Sequence, residues 1–196
     1  TLQNWLCGDI PMFQRPNRNY FNIPKALTAL FLSELYLKET DKSIRESIRK
    51  TLTHISKQID ISQSKLGMWG YSDPRRGKKT GRLHSASTHL CILAQSSLEK
   101  AGVKTSLKTF TPRLLKIYTE NLFDSSAICY QYRDNEKYKH LENTSVPIGR
   151  TAMAVLALRI LGDKNSTLSK QALVYVRKNN YDLMSPVSYT HLRAHE

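Results

Sequence analysis

Three stretches decide the fold: Ala26-Leu-Thr-Ala-Leu-Phe-Leu-Ser-Glu-Leu-Tyr-Leu37, Ala86-Ser-Thr-His-Leu-Cys-Ile-Leu-Ala-Gln-Ser-Ser-Leu98 and Ala152-Met-Ala-Val-Leu-Ala-Leu-Arg-Ile-Leu161. Aligned on their leading alanines, they begin 60 and then 66 residues apart. Each is apolar on nearly every side, which a helix tolerates only when neighbours cover it all round. Self-similarity at such a spacing predicts a repeat in which these three are the inner helices.

A second kind of helix follows each of them. Ile44, Ile48, Leu52, Ile55 and Ile59 advance in helical steps, with Arg45, Arg49, Lys50 and Lys57 on other faces, the pattern of a one-sided amphipathic helix. Leu114, Leu115, Ile117, Tyr118 and Leu122 predict another, and Leu168, Ala172 and Val176, with Lys170, Arg177 and Lys178, predict a third. Between units lie links containing glycine or aromatic residues, Gly67-Met-Trp-Gly-Tyr71 and Ala127-Ile-Cys-Tyr-Gln-Tyr132, with a fainter Pro11-Met-Phe13 ahead of the first unit. An all-apolar helix alternating with an amphipathic one implies two layers, because the second must screen the first from water. The expectation is an all-α protein, an incomplete α/α toroid of about three helical hairpins, with apolar surface exposed where neighbouring hairpins are missing. A straight solenoid fits less well, since its paired helices share burial more evenly.

The 196 residues carry 30 Lys+Arg against 16 Asp+Glu, a net charge of +14, with 40% hydrophobic residues. That is enough chain for one domain with a core of its own. The longest apolar stretch, Ala26 to Leu37, is well short of the roughly 20 residues a transmembrane helix needs. Cys7, Cys91 and Cys129 are odd in number and far apart, so no disulfide framework is expected, and Cys91 reads as a small buried hydrophobe. The chain starts at Thr1 without an initiator Met, so a true N-terminus is expected upstream and localisation is not readable. At the other end, Val187 to Glu196 resembles one translated frame of a sequencing adapter. Residues 1–185 are therefore expected to be a fragment of one repeat domain, and 186–196 a non-native tail whose His191 and His195 carry no functional argument.

Gln63-Ser-Lys-Leu-Gly67-Met-Trp69 matches the pattern Q-x-x-x-G-x-W, with Ile59 four residues before the Gln where the longer pattern wants an aliphatic residue. The aromatic expected just before it is Gln58 here. This resembles the QW repeat of squalene and oxidosqualene cyclases, within the α/α-toroid superfamily that includes protein prenyltransferase β subunits. With the helix pairing included, the resemblance covers roughly Phe13 to Tyr181. It implies structural roles for Gln63, Gly67 and Trp69: the Gln engages a helix end and the Trp ring, tying neighbouring outer helices together.

The resemblance also sets tests for chemistry. A cyclase needs an acidic D-x-D-D motif, but Asp73, Asp124, Asp134 and Asp163 each stand alone. A prenyltransferase needs zinc held by Asp, Cys and His, and its D-x-C pair has no counterpart, Cys7-Gly-Asp9 running in the wrong order. His84, His89 and Cys91 cluster at the start of the second inner helix, yet His89 and Cys91 are two apart and face different ways. No metal or cofactor is expected, and no catalytic residue is assigned.

Gly81-Arg82 and Gly149-Arg150 stand at the starts of the second and third inner helices, where a helix end already favours anions. Arg82 and Arg150, with Tyr130, Tyr132 and His84 on the same rim, are the candidate ligand-binding residues; the alternative is that each Arg braces carbonyls of its own link. The loop Pro74-Arg-Arg-Gly-Lys-Lys-Thr-Gly-Arg82 holds five cations and no acid. Without an aromatic-basic platform or a recognition-helix motif, it does not favour nucleic acid. A small molecule or an anionic polymer is the open class of ligand; the sequence does not set an oligomeric state. The leading functional expectation is a ligand-binding or scaffold module. Next comes part of a terpene cyclase or prenyltransferase with its catalytic residues outside the fragment. A toroidal polysaccharide-active enzyme is third, and it would need Tyr132, Arg150 and His84 to converge.

Overall fold

Short polar connections between apolar segments leave antiparallel packing as the local solution, and the first hairpin shows how. Helix α1, Asn22–Lys38, admits Pro24 in its first turn, where no amide donor is needed. Three residues later Asp41 caps helix α2, Lys42–Ile61, its carboxylate accepting from the amides of Ser43 at 2.8 Å and Ile44 at 3.1 Å. The Arg45 guanidinium lies 4.7 Å from the Tyr36 ring centroid, clamping the turn from outside.

The computed structural model describes residues 22–70, 82–124, 127–128, 131–133, 148–163 and 166–183. Two more hairpins follow the first. Helix α3 spans Ser85–Lys100 and α4 spans Leu107–Ile117, running on into a π-helical turn, Tyr118–Leu122; α5 spans Ile148–Ile160 and α6 spans Thr167–Leu183. Pro112 sits on the exposed side of α4, where the carbonyl it leaves without a donor can face water. Helices α1, α3 and α5 pack in a row, with α2 against α1, α4 against α3 and α6 against α5. The architecture is mostly helical and built of repeated hairpins. The segment Val187 to Glu196 and the link residue Tyr130 lie outside the described residues.

The links contribute an element that periodicity did not announce. Strand β1, Arg82–His84, pairs antiparallel with β4, Gln131–Arg133, and β2, Phe123–Asp124, pairs with β3, Ala127–Ile128. Both pairs are two-stranded: β1 with β4 joins the link before α3 to the link before α5, whereas β2 and β3 both belong to the latter.

Burial also resets the register of the repeat. The fully buried positions match when Ala26, Thr88 and Thr151 are aligned, followed by Ala29, Cys91 and Ala154, then Leu32, Ala94 and Ala157, and finally Tyr36, Leu98 and Leu161. The leading alanines of the sequence alignment are therefore two to three residues out of step. The first two rows of the shared stripe are small residues, which let neighbouring helices approach closely, and Tyr36, Leu98 and Leu161 fill its far end. Opposite it, Leu27 (51% exposed), Phe31 (64%) and Leu156 (46%) stand open, so α1 and α5 are not covered all round as expected from their composition.

The second and third hairpins turn alike. Gly102 at φ 76° and Gly162 at φ 97° take the left-handed conformation after α3 and α5. In each case the next amide closes back on the helix, Val103 N to Leu98 O and Asp163 N to Leu158 O, both 2.9 Å.

Candidate functional site

The corner between α2 and α4 is where the sequence motif sits. The indole Nε1 of Trp69 donates to the Ile59 carbonyl at 2.9 Å, satisfying the C-terminal end of α2, and the ring is fully buried. Gln63 Nε2 donates to Gly67 O at 2.8 Å, holding the link in a tight loop. Gly67 adopts φ 89°, and a Cβ there would lie 3.2 Å from Phe110 and 3.3 Å from Leu114, so α4 packs directly on its backbone.

Gln63 also reaches the next outer helix. The Ser106 hydroxyl, just before α4, donates to Asp60 Oδ1 at 2.7 Å and lies 2.9 Å from Gln63 Oε1. Gln95 Nε2, from the inner helix α3, donates to the same Asp60 oxygen at 2.6 Å. One carboxylate thus joins α2, α3 and the start of α4. Asn22 plays a similar part at the start of α1, donating to Gly70 O at 2.8 Å and accepting from Ser62 Oγ at 2.7 Å.

A second joint recurs in both described links. Thr88 Oγ1 accepts from Trp69 N at 3.1 Å and lies 3.3 Å from Trp69 O, to which His84 N also donates at 3.0 Å. Thr151 Oγ1 accepts from Ile128 N at 3.2 Å. The two threonines occupy the same position in the first turns of α3 and α5.

The candidate ligand residues are placed unevenly. The backbones of Arg82 and Tyr132 lie on the paired strands β1 and β4, opposite Arg133 and Leu83; their side chains, like Tyr130, fall outside the described residues. His84 is buried and immediately precedes α3, without a side-chain capping bond to it. Arg150 is half-buried in the first turn of α5. Its charge is felt by His89, whose imidazole is held down to about 3, first by complete burial and then by Arg150. The His89 ring packs 5.7 Å from Tyr118 at an angle of 36°. The side chains drawn together are therefore His89, Tyr118 and Arg150, a grouping not anticipated from the sequence. His89 and Tyr118 are fully buried, and an imidazole kept neutral this strongly is a poor general base near neutral pH.

Cys91 is a free, buried thiol, and its surroundings push its ionisation up. Among the described residues no three His, Cys, Asp or Glu side chains come together as metal ligands, and no helix is long and apolar enough to cross a membrane. Asp163 has a capping role, accepting from Ser166 Oγ at 2.7 Å and from Ser166 N at 3.2 Å ahead of α6.

Sequence reasoning singled out Gln63, Gly67 and Trp69 but missed Asp60, Ser106, Thr88 and Thr151. A signal existed for one of these: Gly102 and Ser106 recur as Gly162 and Ser166 at the same spacing. Comparison with protein-family models, with curated proteins and with solved structures gives no match.

Proposed function

We propose that this chain is part of an α/α-toroid repeat protein of the squalene-cyclase and prenyltransferase type, acting as a ligand-binding or scaffold module. The observation that carries the reading is the α2–α4 corner, where Trp69 satisfies the C-terminal end of α2 while Gln63 closes the link onto Gly67 and reaches the Ser106 hydroxyl ahead of α4. The row of inner helices screened by outer ones is in keeping with it. A ligand face is supported by Phe31 and Leu156, exposed at matching positions of the first and last inner helices, and by Leu27 one turn before Phe31. Such a face suits an apolar or amphiphilic small molecule.

The competing reading is a cyclase or transferase whose catalytic residues lie elsewhere in a longer chain. Extending the coding sequence in both directions separates the two. Further hairpins without an acidic D-x-D-D string or a D-x-C pair are expected; either motif, followed by turnover of an isoprenoid diphosphate or squalene, overturns the binding-module reading.

A further inference from the structure

The outer helices carry an uneven charge that the corner described above does not use. Lys57 and Ile61 lie one turn apart at the end of α2, and Lys65 follows in the link. Arg113 of α4 donates to the Lys65 carbonyl at 2.8 Å, so Pro112, Arg113 and Lys116 join the same surface. All six side chains are exposed, Ile61 by 50%. Among the described residues no carboxylate pairs with Lys57, Lys65 or Lys116. Helix α6 repeats the composition, with Val174 61% exposed between Lys170 and the pair Arg177 and Lys178.

From this we infer that the α2–α4 corner is a contact surface for an anionic lipid bilayer, on which the protein would lie without spanning it. Unpaired cations around an exposed aliphatic side chain match both parts of a bilayer interface, the negative headgroups and the apolar boundary just beneath them. A nucleic acid would match the cations alone: none of these six side chains is an aromatic ring for a base to stack on, and Ile61 would be left without a role. Lysine stems add apolar length to the same contact while their ammonium groups stay in water. The inference rests on the corner itself and is independent of any ligand held by the inner helices.

The test is co-sedimentation of the 196-residue chain with vesicles of phosphatidylcholine containing one quarter phosphatidylglycerol, beside pure phosphatidylcholine vesicles and a random DNA duplex. Binding to the anionic vesicles that weakens as salt rises is expected. The K57Q/K65Q/K116Q variant should bind about tenfold more weakly or worse, and the uncharged Ile61→Asn should weaken vesicle binding while leaving any DNA binding unchanged. All four positions are exposed, and far-UV circular dichroism checks that helicity is kept. Equal binding to neutral vesicles, salt-insensitive binding, or no effect of either variant overturns the proposal. DNA binding tighter than vesicle binding, with Ile61→Asn harmless to both, assigns the patch to nucleic acid instead.

Discussion

Thr88 Oγ1 accepts a hydrogen bond from the backbone amide of Trp69 at 3.1 Å, and Thr151 makes the equivalent bond to Ile128 in the next unit at 3.2 Å. Both threonines and both amide-donating residues, Trp69 and Ile128, are buried. Replacing either by Val keeps the shape and strands a buried amide, a loss of about 1–3 kcal/mol. Thr88→Val and Thr151→Val are each expected to lower the urea midpoint by a similar amount. A large effect of one with none from the other would show that the two joints are not equivalent.

The tie between outer helices predicts coupling. Gln63→Ala and Ser106→Ala should each cost about 1–2 kcal/mol, and the double variant should cost less than their sum, because both remove the same 2.9 Å contact. A double-mutant cycle by chemical denaturation measures this. Strict additivity would mean that Gln63 acts only within its own loop.

Two glycines separate conformational strain from crowding. Gly67 and Gly102 both have positive φ, but a Cβ at Gly67 meets Phe110 and Leu114, whereas nothing lies within 4 Å at Gly102. Gly102→Ala should therefore cost about 1 kcal/mol from the backbone alone. Gly67→Ala should cost more, because α4 must also shift. Comparable thermal melting points for the two variants would refute the close approach of α4.

His89 gives the fold a pH dependence. Its folded-state value is lowered to about 3 from 6.5, so the unfolded chain binds a proton throughout that interval and the folded chain does not. This contribution to stability is complete above pH 6.5 and declines as the pH falls, by at most about 1.4 kcal/mol per unit. The melting temperature of the protein should fall between pH 7 and 5, and His89→Leu should flatten that slope. An unchanged slope would assign the acid sensitivity to other groups.

What the sequence made legible was decided by side-chain periodicity. The one-sided pattern of Ile48, Leu52, Ile55 and Ile59 gave α2 its buried face correctly, because a polar majority leaves only one way to turn the helix. The apolar runs of α1 and α5 fixed helix type but not rotation. With Leu27, Phe31 and Leu156 as apolar as the residues that are buried, periodicity could not tell the packed stripe from the open one. The small residues Ala29, Cys91 and Ala154 mark the packed side, and hydrophobicity alone undervalues them. The pairing of β1 with β4 was illegible for a different reason: a three-residue strand carries no period of its own, and its register is set by a partner almost fifty residues away. In the candidate site, the place of Arg150 at a helix start was legible from Gly149-Arg150. The packing of Tyr118 on His89 was not, because a buried ring on a helix looks like ordinary packing until the neighbour is known.

The threonine joint treats its two sides differently. One side is a hydroxyl that must be in the first turn of an inner helix; the other is main chain only, whether it belongs to Trp69 or Ile128. A link can therefore drift from Met68-Trp-Gly70 to Ala127-Ile-Cys129 without losing its seat. Units of this kind can be duplicated, exchanged or worn down by mutation while the stacking survives, so kinship between them would fade from the links long before it faded from the helix starts.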